Sequence, residues 1–217
     1  MRLILIRHGQ TPANVDGILA TVAPGPGLTA LGHDQAKAVP DALAGESIDS
    51  LSVSTLVRTH LTAAPLAGHH GLTPVVDGDF REIEAGDLED RADEEAYAGY
   101  IGPVYEWVRG NRDARILGGP DGHEFFARYD AAVSRVVATG VDTAVVVSHG
   151  AAIRVWATAR ARNLPSEWVA DHNLGNTGIV ILEGDPVGGW TVISWEGEPV
   201  TGPGLDEAAM ADPTGRA

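Results

Sequence analysis

Close to its first residue the chain contains the stretch Leu3-Ile4-Leu5-Ile6-Arg7-His8-Gly9-Gln10-Thr11. A short apolar run that ends abruptly in charged and small residues is typical of a fully buried strand. Side chains directly behind such a strand lie at its carboxyl end, where open α/β sheets bind their ligands. Taken alone, Arg7-His8-Gly9 is more often a polar turn without a chemical role, so the rest of the chain has to be considered.

A second segment repeats this layout. The apolar run Ala144-Val145-Val146-Val147 is followed by Ser148-His149-Gly150. Each histidine thus comes at the predicted carboxyl end of a buried strand. We expect the two side chains to converge if both strands are central and adjacent in one sheet.

Strand-like and helix-like segments alternate along most of the chain, which favours an α/β domain with a largely parallel sheet. Further strands are predicted at 51–54, 74–76, 179–182 and 190–195, and helices at 29–45, 56–66, 123–139 and after Gly150. Residues 12–27 are rich in glycine and proline and are predicted to form a long loop. The expected architecture is a three-layer α/β/α domain over residues 1–196.

Two regions depart from this alternation. Residues 83–122 are rich in Glu, Asp, Gly and Arg and are predicted to form an inserted, mostly helical cap. Residues 197–217 are rich in glycine, proline and acidic residues and are predicted to be a loose C-terminal tail. The length of 217 residues fits a single domain that carries one insertion.

The charge balance restricts the binding partners. The formal net charge is −15, which argues against nucleic acid and against anionic membrane surfaces as partners. A small phosphorylated metabolite stays compatible, because charges beyond a Debye length of about 8 Å are largely screened. Lys37 is the only lysine, so nearly all positive charge is guanidinium, the group suited to bidentate phosphate contacts.

The absence of cysteine excludes disulfides, thiolate catalysis and cysteine-ligated zinc. The apolar run before Arg7 is too short for a signal peptide or a membrane-spanning helix, so a cytoplasmic location is expected. A metallohydrolase that uses His69-His70 is an alternative. Adjacent histidines do not easily point at one metal, however, and this pair follows Gly68 in a predicted loop.

Two further segments carry candidate site residues. Arg58 lies one turn into the helix after the second strand, so its side chain can reach the same end of the sheet. Arg81-Glu82-Ile83-Glu84 follows the third strand and precedes the insertion. Considered separately, a lone helix arginine or an acidic pair is usually solvated surface.

Taken together, the motifs resemble the histidine phosphatase superfamily, which is also called phosphoglycerate mutase-like. The resemblance extends from residue 3 to about residue 180 and preserves the motif order. The matching segments are Arg7-His8-Gly9-Gln10-Thr11 with Asn14, Leu28-Thr29 with Gly32 and Gln35-Ala36, Ser54 with Arg58, Thr62 and Ala63, Arg81-Glu82-Ile83 with Gly86, Gly118-Gly119 with Glu124, and Ser148-His149-Gly150.

The resemblance implies a mechanism and its residues. It makes His8 the nucleophile that forms a phosphohistidine, with Arg7, Arg58 and His149 around the phosphate oxygens. Asn14 and Gly150 are the further expected substrate-binding residues. Glu82 would act as general acid and then as general base, with Glu84 as the competing carboxylate. The resemblance implies neither a metal nor a cofactor. Activity is expected to fall above neutral pH as Glu82 loses its proton.

The resemblance leaves the reaction open between a phosphatase of small phosphomonoesters and a bisphosphoglycerate-dependent phosphoglycerate mutase. A phosphatase is favoured, because Gly86-Asp87-Leu88-Glu89-Asp90 and the scattered arginines of the insertion differ from the mutase pattern. A non-catalytic binder of phosphorylated ligands is a third alternative. His60 and His123 are candidates for lining the pocket. A homodimer is compatible with the sequence, which does not determine the assembly.

Overall fold

The computed structural model describes residues 1–196 and Thr214. The strands are β1 (Arg2–Arg7), β2 (Ser50–Val53), β3 (Val75–Val76), β4 (Thr143–Ser148), β5 (Ile179–Asp185) and β6 (Gly189–Glu196). The α-helices are α1 (Pro12–Asp16), α2 (Ala30–Ala42), α3 (Val57–His70), α4 (Glu94–Val108), α5 (Gly122–Val137), α6 (Gly150–Arg160) and α7 (Trp168–Asp171). Short 3-10 turns lie at Gly78–Phe80 and Gly86–Leu88.

The strands form one six-stranded sheet in the order β3-β2-β4-β1-β5-β6. Strands β1 to β4 run parallel to one another, whereas β5 pairs antiparallel with both β1 and β6. His8 and His149 directly follow β1 and β4. These two strands are adjacent and in register, with Arg7 opposite Ser148. The segments that follow them therefore begin side by side at one edge of the sheet.

Alternating apolar residues of the central strands form two separate cores, one on each face of the sheet. On β1, Leu3 and Leu5 belong to the larger cluster, together with buried residues of α4, α5 and α6. Ile4 and Ile6 belong to the other cluster, with buried residues of α2 and α3. Successive strand side chains point to opposite faces, so this division is the three-layer α/β/α arrangement that was predicted.

The insertion at 83–122 is less helical than predicted. It contains one long helix, α4, and one 3-10 turn, and the remainder is loop. Helix α4 packs against α5 and α6, and its buried residues Tyr100, Val104 and Trp107 belong to the larger core cluster. The insertion is therefore part of the hydrophobic core on that face of the sheet.

Two local predictions were wrong. The segment expected to be loop from residue 12 begins with α1, because Thr11 and Asn14 form a capping box and Pro12 occupies the first turn. His69-His70 was placed in a loop, but α3 continues through Gly68 and ends at His70, where Gly71 adopts a left-handed conformation with φ of 66°.

The predicted tail at 197–217 lies outside the described residues except for Thr214. Over the described part of the chain, none of the helices combines the length and apolar character needed to span a membrane.

Candidate active site

His8 lies immediately after β1, and its main-chain nitrogen donates to the Ser148 carbonyl at 3.0 Å. The ring nitrogen Nδ1 lies 2.8 Å from the Gly9 carbonyl oxygen. A carbonyl oxygen only accepts, so Nδ1 carries the proton and Nε2 keeps its lone pair. The side chain is buried, and burial together with the charges of Arg58 and Arg7 holds the pKa of His8 well below its usual value. The imidazole is therefore neutral at physiological pH, with Nε2 as its nucleophilic atom.

The turn after His8 requires glycine. A Cβ on Gly9 would lie 2.6 Å from the Gly32 carbonyl oxygen, which leaves no space for a side chain. The Gly9 amide donates to the Thr62 hydroxyl at 2.9 Å, and this hydroxyl donates to the Arg58 carbonyl at 2.7 Å. Thr62 thus connects the turn that carries His8 to the helix that carries Arg58.

His149 faces His8, with 5.2 Å between the ring centroids. Its Nε2 lies 2.7 Å from the Ser54 hydroxyl, and its Nδ1 accepts from Arg58 Nε at 3.3 Å. Burial, followed by the charge of Arg58, holds the pKa of His149 well below its usual value. Ser54 and Arg58 thereby fix the ring of His149 beside the nucleophile.

Arg58 supplies a buried positive charge to the site. Burial lowers the pKa of Arg58 to about 10, so the guanidinium stays charged at physiological pH. Its Nη1 is buried and has no hydrogen-bond partner within the described residues. A buried donor of this kind is costly unless a ligand atom satisfies it, which makes Nη1 a candidate donor to an anion.

Arg7 is buried at the end of β1. Its Nη1 donates to the Leu174 carbonyl at 2.9 Å, and its Nη2 donates to the Thr214 hydroxyl at 3.1 Å. A Cβ on Gly150 would lie 2.9 Å from Arg7 Nε and 2.6 Å from the Thr214 carbonyl oxygen. Glycine at 150 therefore allows the start of α6 to approach the guanidinium of Arg7.

Asn14 is held by contacts that its place in the sequence did not reveal. Its side-chain oxygen accepts from the Thr11 amide at 3.0 Å and from Asn176 Nδ2 at 3.2 Å. Asn176 also donates to the His8 carbonyl at 3.0 Å. Through Asn176, the Asn14 side chain is linked to the main chain of His8. Asn176 was not identified from the sequence, since no motif singles it out.

Glu82 is fully buried beside the N-terminus of α6. Its carboxylate accepts hydrogen bonds from the amides of Ile83 at 2.9 Å, Ala151 at 3.2 Å and Ala152 at 2.8 Å. Burial raises the pKa of Glu82, while these amides and the charge of Arg58 oppose the rise. The raised pKa is the property that a general acid needs near neutral pH.

Glu84, the competing carboxylate, has a different environment. It forms ion pairs with Arg81 at 2.5 Å and with Arg128 at 3.3 Å, and its side chain is 31% exposed. It therefore lies in a surface charge cluster. The burial of Glu82 and its electrostatic interaction with Arg58 favour Glu82 over Glu84 as the carboxylate of the site.

His60 and His123, the remaining histidine candidates, are more exposed than His8 and His149. His123 has a side chain that is 62% exposed and lies 3.3 Å from Asp113. His60 is half-buried on α3. In residues 1–196 and 214, no group of three or more His, Asp or Glu side chains is arranged to hold a metal ion.

Because His8 and His149 are buried and neutral, we expect the free energy of unfolding to fall in acid. In the unfolded chain each takes up a proton near pH 6.5, whereas the lowered pKa values keep both neutral in the folded state. Stability is therefore lost as the pH falls below about 6.5, by about 1.4 kcal/mol per histidine between pH 7.5 and 5.5. Urea unfolding at both pH values, in phosphate-free buffer, measures this loss.

The matched comparison is His8→Asn, which cannot titrate. Its free energy of unfolding should drop by about 1.4 kcal/mol less than that of the wild type over the same interval. The raised pKa of Glu82 acts in the opposite direction, but it is common to both proteins and cancels in the difference. Equal drops in the two proteins would contradict a neutral His8.

The sequence matches a known family over nearly its whole length. The model of the histidine phosphatase superfamily (branch 1) covers residues 3–197. The PE-PGRS family protein PE_PGRS11 of Mycobacterium tuberculosis is 37% identical over 224 residues, covering 95% of this chain but only 38% of that protein. The chain thus spans less than half the length of this relative. A protein described as a probable phosphoglycerate mutase, GpmB of Salmonella paratyphi A, is 31% identical over 154 residues, or 70% of this chain and 71% of GpmB.

Solved structures with the same fold include phosphatases. A mycobacterial glucosyl-3-phosphoglycerate phosphatase in complex with VO3 superimposes with a TM-score of 0.77 at 27% identity, covering 91% of this chain and 99% of that one. The alpha-ribazole phosphatase from Shigella flexneri gives a TM-score of 0.70 at 26% identity, covering 90% and 96% of the two chains. The sheet and its surrounding helices are thus an architecture found in enzymes that remove phosphate groups.

Proposed function

Since the chain belongs to the histidine phosphatase superfamily, we propose that it is a metal-independent phosphatase that hydrolyses small phosphomonoesters through a phosphohistidine on His8. The observation that carries the proposal is the environment of His8. Its Nδ1 is committed to the Gly9 carbonyl, its lowered pKa keeps the ring neutral, and Arg58 supplies an unpaired buried donor beside it. A neutral nucleophile next to fixed cations suits attack on a phosphate ester.

The proposed reaction has two displacements. In the first, His8 Nε2 attacks phosphorus, the ester P–O bond breaks, and Glu82 gives its proton to the leaving alkoxide. In the second, the Glu82 carboxylate takes a proton from water while that water attacks phosphorus. The P–N bond then breaks, which releases inorganic phosphate and restores neutral His8.

Arg7, Arg58 and His149 together form a phosphate cradle that stabilises both displacements. Arg7, Arg58 and His149 surround the nucleophile, so they are placed to meet the charge that spreads over the equatorial phosphate oxygens. Nε2 of His149 is used by Ser54, so the ring can donate to phosphate only through a protonated Nδ1, which then no longer accepts from Arg58 Nε. Substrate binding would therefore favour the protonated form of His149.

The arginines of the insertion favour a phosphatase over a mutase. Re-donating a phosphate to a bound intermediate requires additional cations over the pocket. Arg91, Arg109 and Arg115 are instead ion-paired with acidic side chains at the surface of the insertion. Arg112 lies over the Phe126 ring, with 4.9 Å between the guanidinium carbon and the ring centroid. These contacts use the charge that a mutase would need at its active site.

The test is an assay of the purified protein against p-nitrophenyl phosphate and a panel of sugar phosphates between pH 5 and pH 8, with excess chelator. Turnover is expected to persist within about twofold of the chelator-free rate, because guanidinium and imidazole groups provide the charge stabilisation. Acid-labile, base-stable label on the protein after incubation with radiolabelled substrate would report the phosphohistidine. Loss of turnover in chelator would contradict the metal-independent mechanism.

The same assay separates the alternatives. A mutase would interconvert phosphoglycerates in the presence of bisphosphoglycerate and release little inorganic phosphate. A non-catalytic binder would bind phosphate esters and form no labelled protein. Either outcome would overturn the proposal of a phosphatase.

A further inference from the structure

Arg128 holds the backbone of the segment that carries Glu82. It lies on α5, opposite that segment, and its side chain is only 10% exposed. Its Nη1 donates to the carbonyl of Asp79 at 2.7 Å and to that of Arg81 at 2.9 Å. Its Nη2 donates to the Glu82 carbonyl at 2.7 Å. A single guanidinium thus satisfies three main-chain carbonyls around the proposed general acid.

The segment needs such support because it lies between β3 and α4 and consists mainly of 3-10 turns and loop. It is not part of the sheet. Buried carbonyl groups outside regular structure require partners from elsewhere in the fold. Besides Arg128, the Tyr100 hydroxyl donates to the Ile83 carbonyl at 3.0 Å.

Glu82 is therefore fixed at both of its ends. Its main chain is held by Arg128 on α5, and its carboxylate is held by the amides of Ala151 and Ala152 at the start of α6. The guanidinium of Arg128 is itself fixed over the Phe125 ring, 5.1 Å from the centroid. Displacement of a catalytic group by about 1 Å costs on the order of 10²-fold in rate, so the backbone anchor matters for proton transfer.

We propose that Arg128 is a positioning residue for the general acid, which it places by binding the carbonyls of Asp79, Arg81 and Glu82 with its planar guanidinium. This inference rests on the proposed function, in which Glu82 protonates the leaving group. In this role Arg128 acts through the main chain of Glu82 and makes no contact with the substrate. Lysine is a poor substitute, because a single ammonium cannot reproduce the fork that reaches three carbonyls.

The test compares the first displacement for two leaving groups in Arg128→Met. Single-turnover release of glycerol from glycerol phosphate depends strongly on the acid, since glycerol leaves as a strongly basic alkoxide. Release of p-nitrophenol depends on it weakly. We expect the glycerol phosphate rate to fall by about 10²-fold and the p-nitrophenyl phosphate rate by less than about fivefold. The loss of rate at alkaline pH should weaken in parallel for glycerol phosphate.

Arg135→Met is the matched control on the same helix. Arg135 pairs with the side chains of Asp77 and Asp79, and its own side chain is 52% exposed. It lies beside the same segment without binding its carbonyls, so both rates should stay within about twofold of the wild type. If Arg128→Met fails to fold, Arg128→Lys provides the same comparison, with a smaller but still leaving-group-dependent loss.

The outcomes distinguish this inference from the proposed function. An equal loss for both leaving groups in the Arg128 variants, with normal phosphohistidine in the wild type, would overturn the positioning role alone. Absence of phosphohistidine in the wild type would overturn the proposed function as well. A selective loss with glycerol phosphate, restored in part by added guanidinium ion in Arg128→Met, would support the inference.

Discussion

Replacing His8 with alanine is expected to lower kcat by about 10⁴-fold or more and to abolish acid-labile labelling of the protein, because the nitrogen that bonds to phosphorus is lost. The cradle of Arg7, Arg58 and His149 would remain, so phosphate should still bind. The measurement is steady-state turnover of p-nitrophenyl phosphate together with equilibrium binding of inorganic phosphate. Residual turnover is expected from binding and electrostatic stabilisation alone.

His69→Ala provides the control for this variant. His69 is exposed near the end of α3, next to His70. The substitution should leave kcat within about twofold of the wild type, since exposed side chains away from a site rarely affect it. A severe loss in His69→Ala with retained activity in His8→Ala would instead point to a metal at the histidine pair, and would contradict the phosphohistidine mechanism.

The convergence of His8 and His149 was predictable because it depends on short-range signals. The runs Leu3-Ile4-Leu5-Ile6 and Ala144-Val145-Val146-Val147 are apolar on both faces, as expected for central parallel strands. In each case a His-Gly pair begins at the second residue after the apolar run. When two parallel strands are adjacent, the residues that follow them lie at the same edge of the sheet. Arg7 is opposite Ser148, so His8 and His149 come next to each other.

The different environments of Glu82 and Glu84 were not predictable in this way. Glu82 and Glu84 lie in the same short segment and have the same composition around them. The distinction arises from contacts across the chain. Besides the adjacent Ile83 amide, Glu82 accepts from the amides of Ala151 and Ala152, whereas Glu84 pairs with the guanidiniums of Arg81 and Arg128. Ala151, Ala152 and Arg128 are all distant in sequence from the segment that they contact.

The two wrong predictions have local physical causes. Glycine and proline dominate residues 17–27, and that composition hid the short helix α1, although Thr11 and Asn14 carry its capping signal. A capping box more often has Glu or Gln at the third helical position, which weakened the signal. At Gly68, α3 continues because one glycine costs a helix only about 1 kcal/mol relative to alanine, an amount that tertiary packing offsets.

Replacing Glu82 with glutamine is expected to lower the first-step rate with glycerol phosphate by about 10²- to 10⁴-fold, because the amide cannot transfer a proton to the leaving alkoxide. Glutamine keeps the size of the side chain, and its oxygen can accept the amides at the start of α6. The fold and the phosphate cradle should therefore be preserved. Single-turnover release of glycerol, measured beside phosphate binding, tests this prediction.

The pH profile provides a second readout. Burial raises the pKa of Glu82, so wild-type activity should decline as the pH rises through that value and the carboxyl group loses its proton. This decline should be absent in Glu82→Gln. Glu84→Gln is the matched control, since Glu84 lies two positions away in a charge cluster, and it should keep both the wild-type profile and a rate within about threefold.

The leaving group distinguishes the two roles of Glu82. p-Nitrophenolate departs with little help, so its first-step release in Glu82→Gln should fall by less than about tenfold. The second displacement lacks its general base for every substrate, so this variant should accumulate phosphohistidine with p-nitrophenyl phosphate and show a burst of p-nitrophenol. A slow first step for both substrates without accumulated phosphohistidine would show that Glu82 stabilises the site and transfers no proton. A burst with p-nitrophenyl phosphate together with a slow first step with glycerol phosphate requires two roles of one carboxyl group. It must give a proton in the first displacement and accept one in the second.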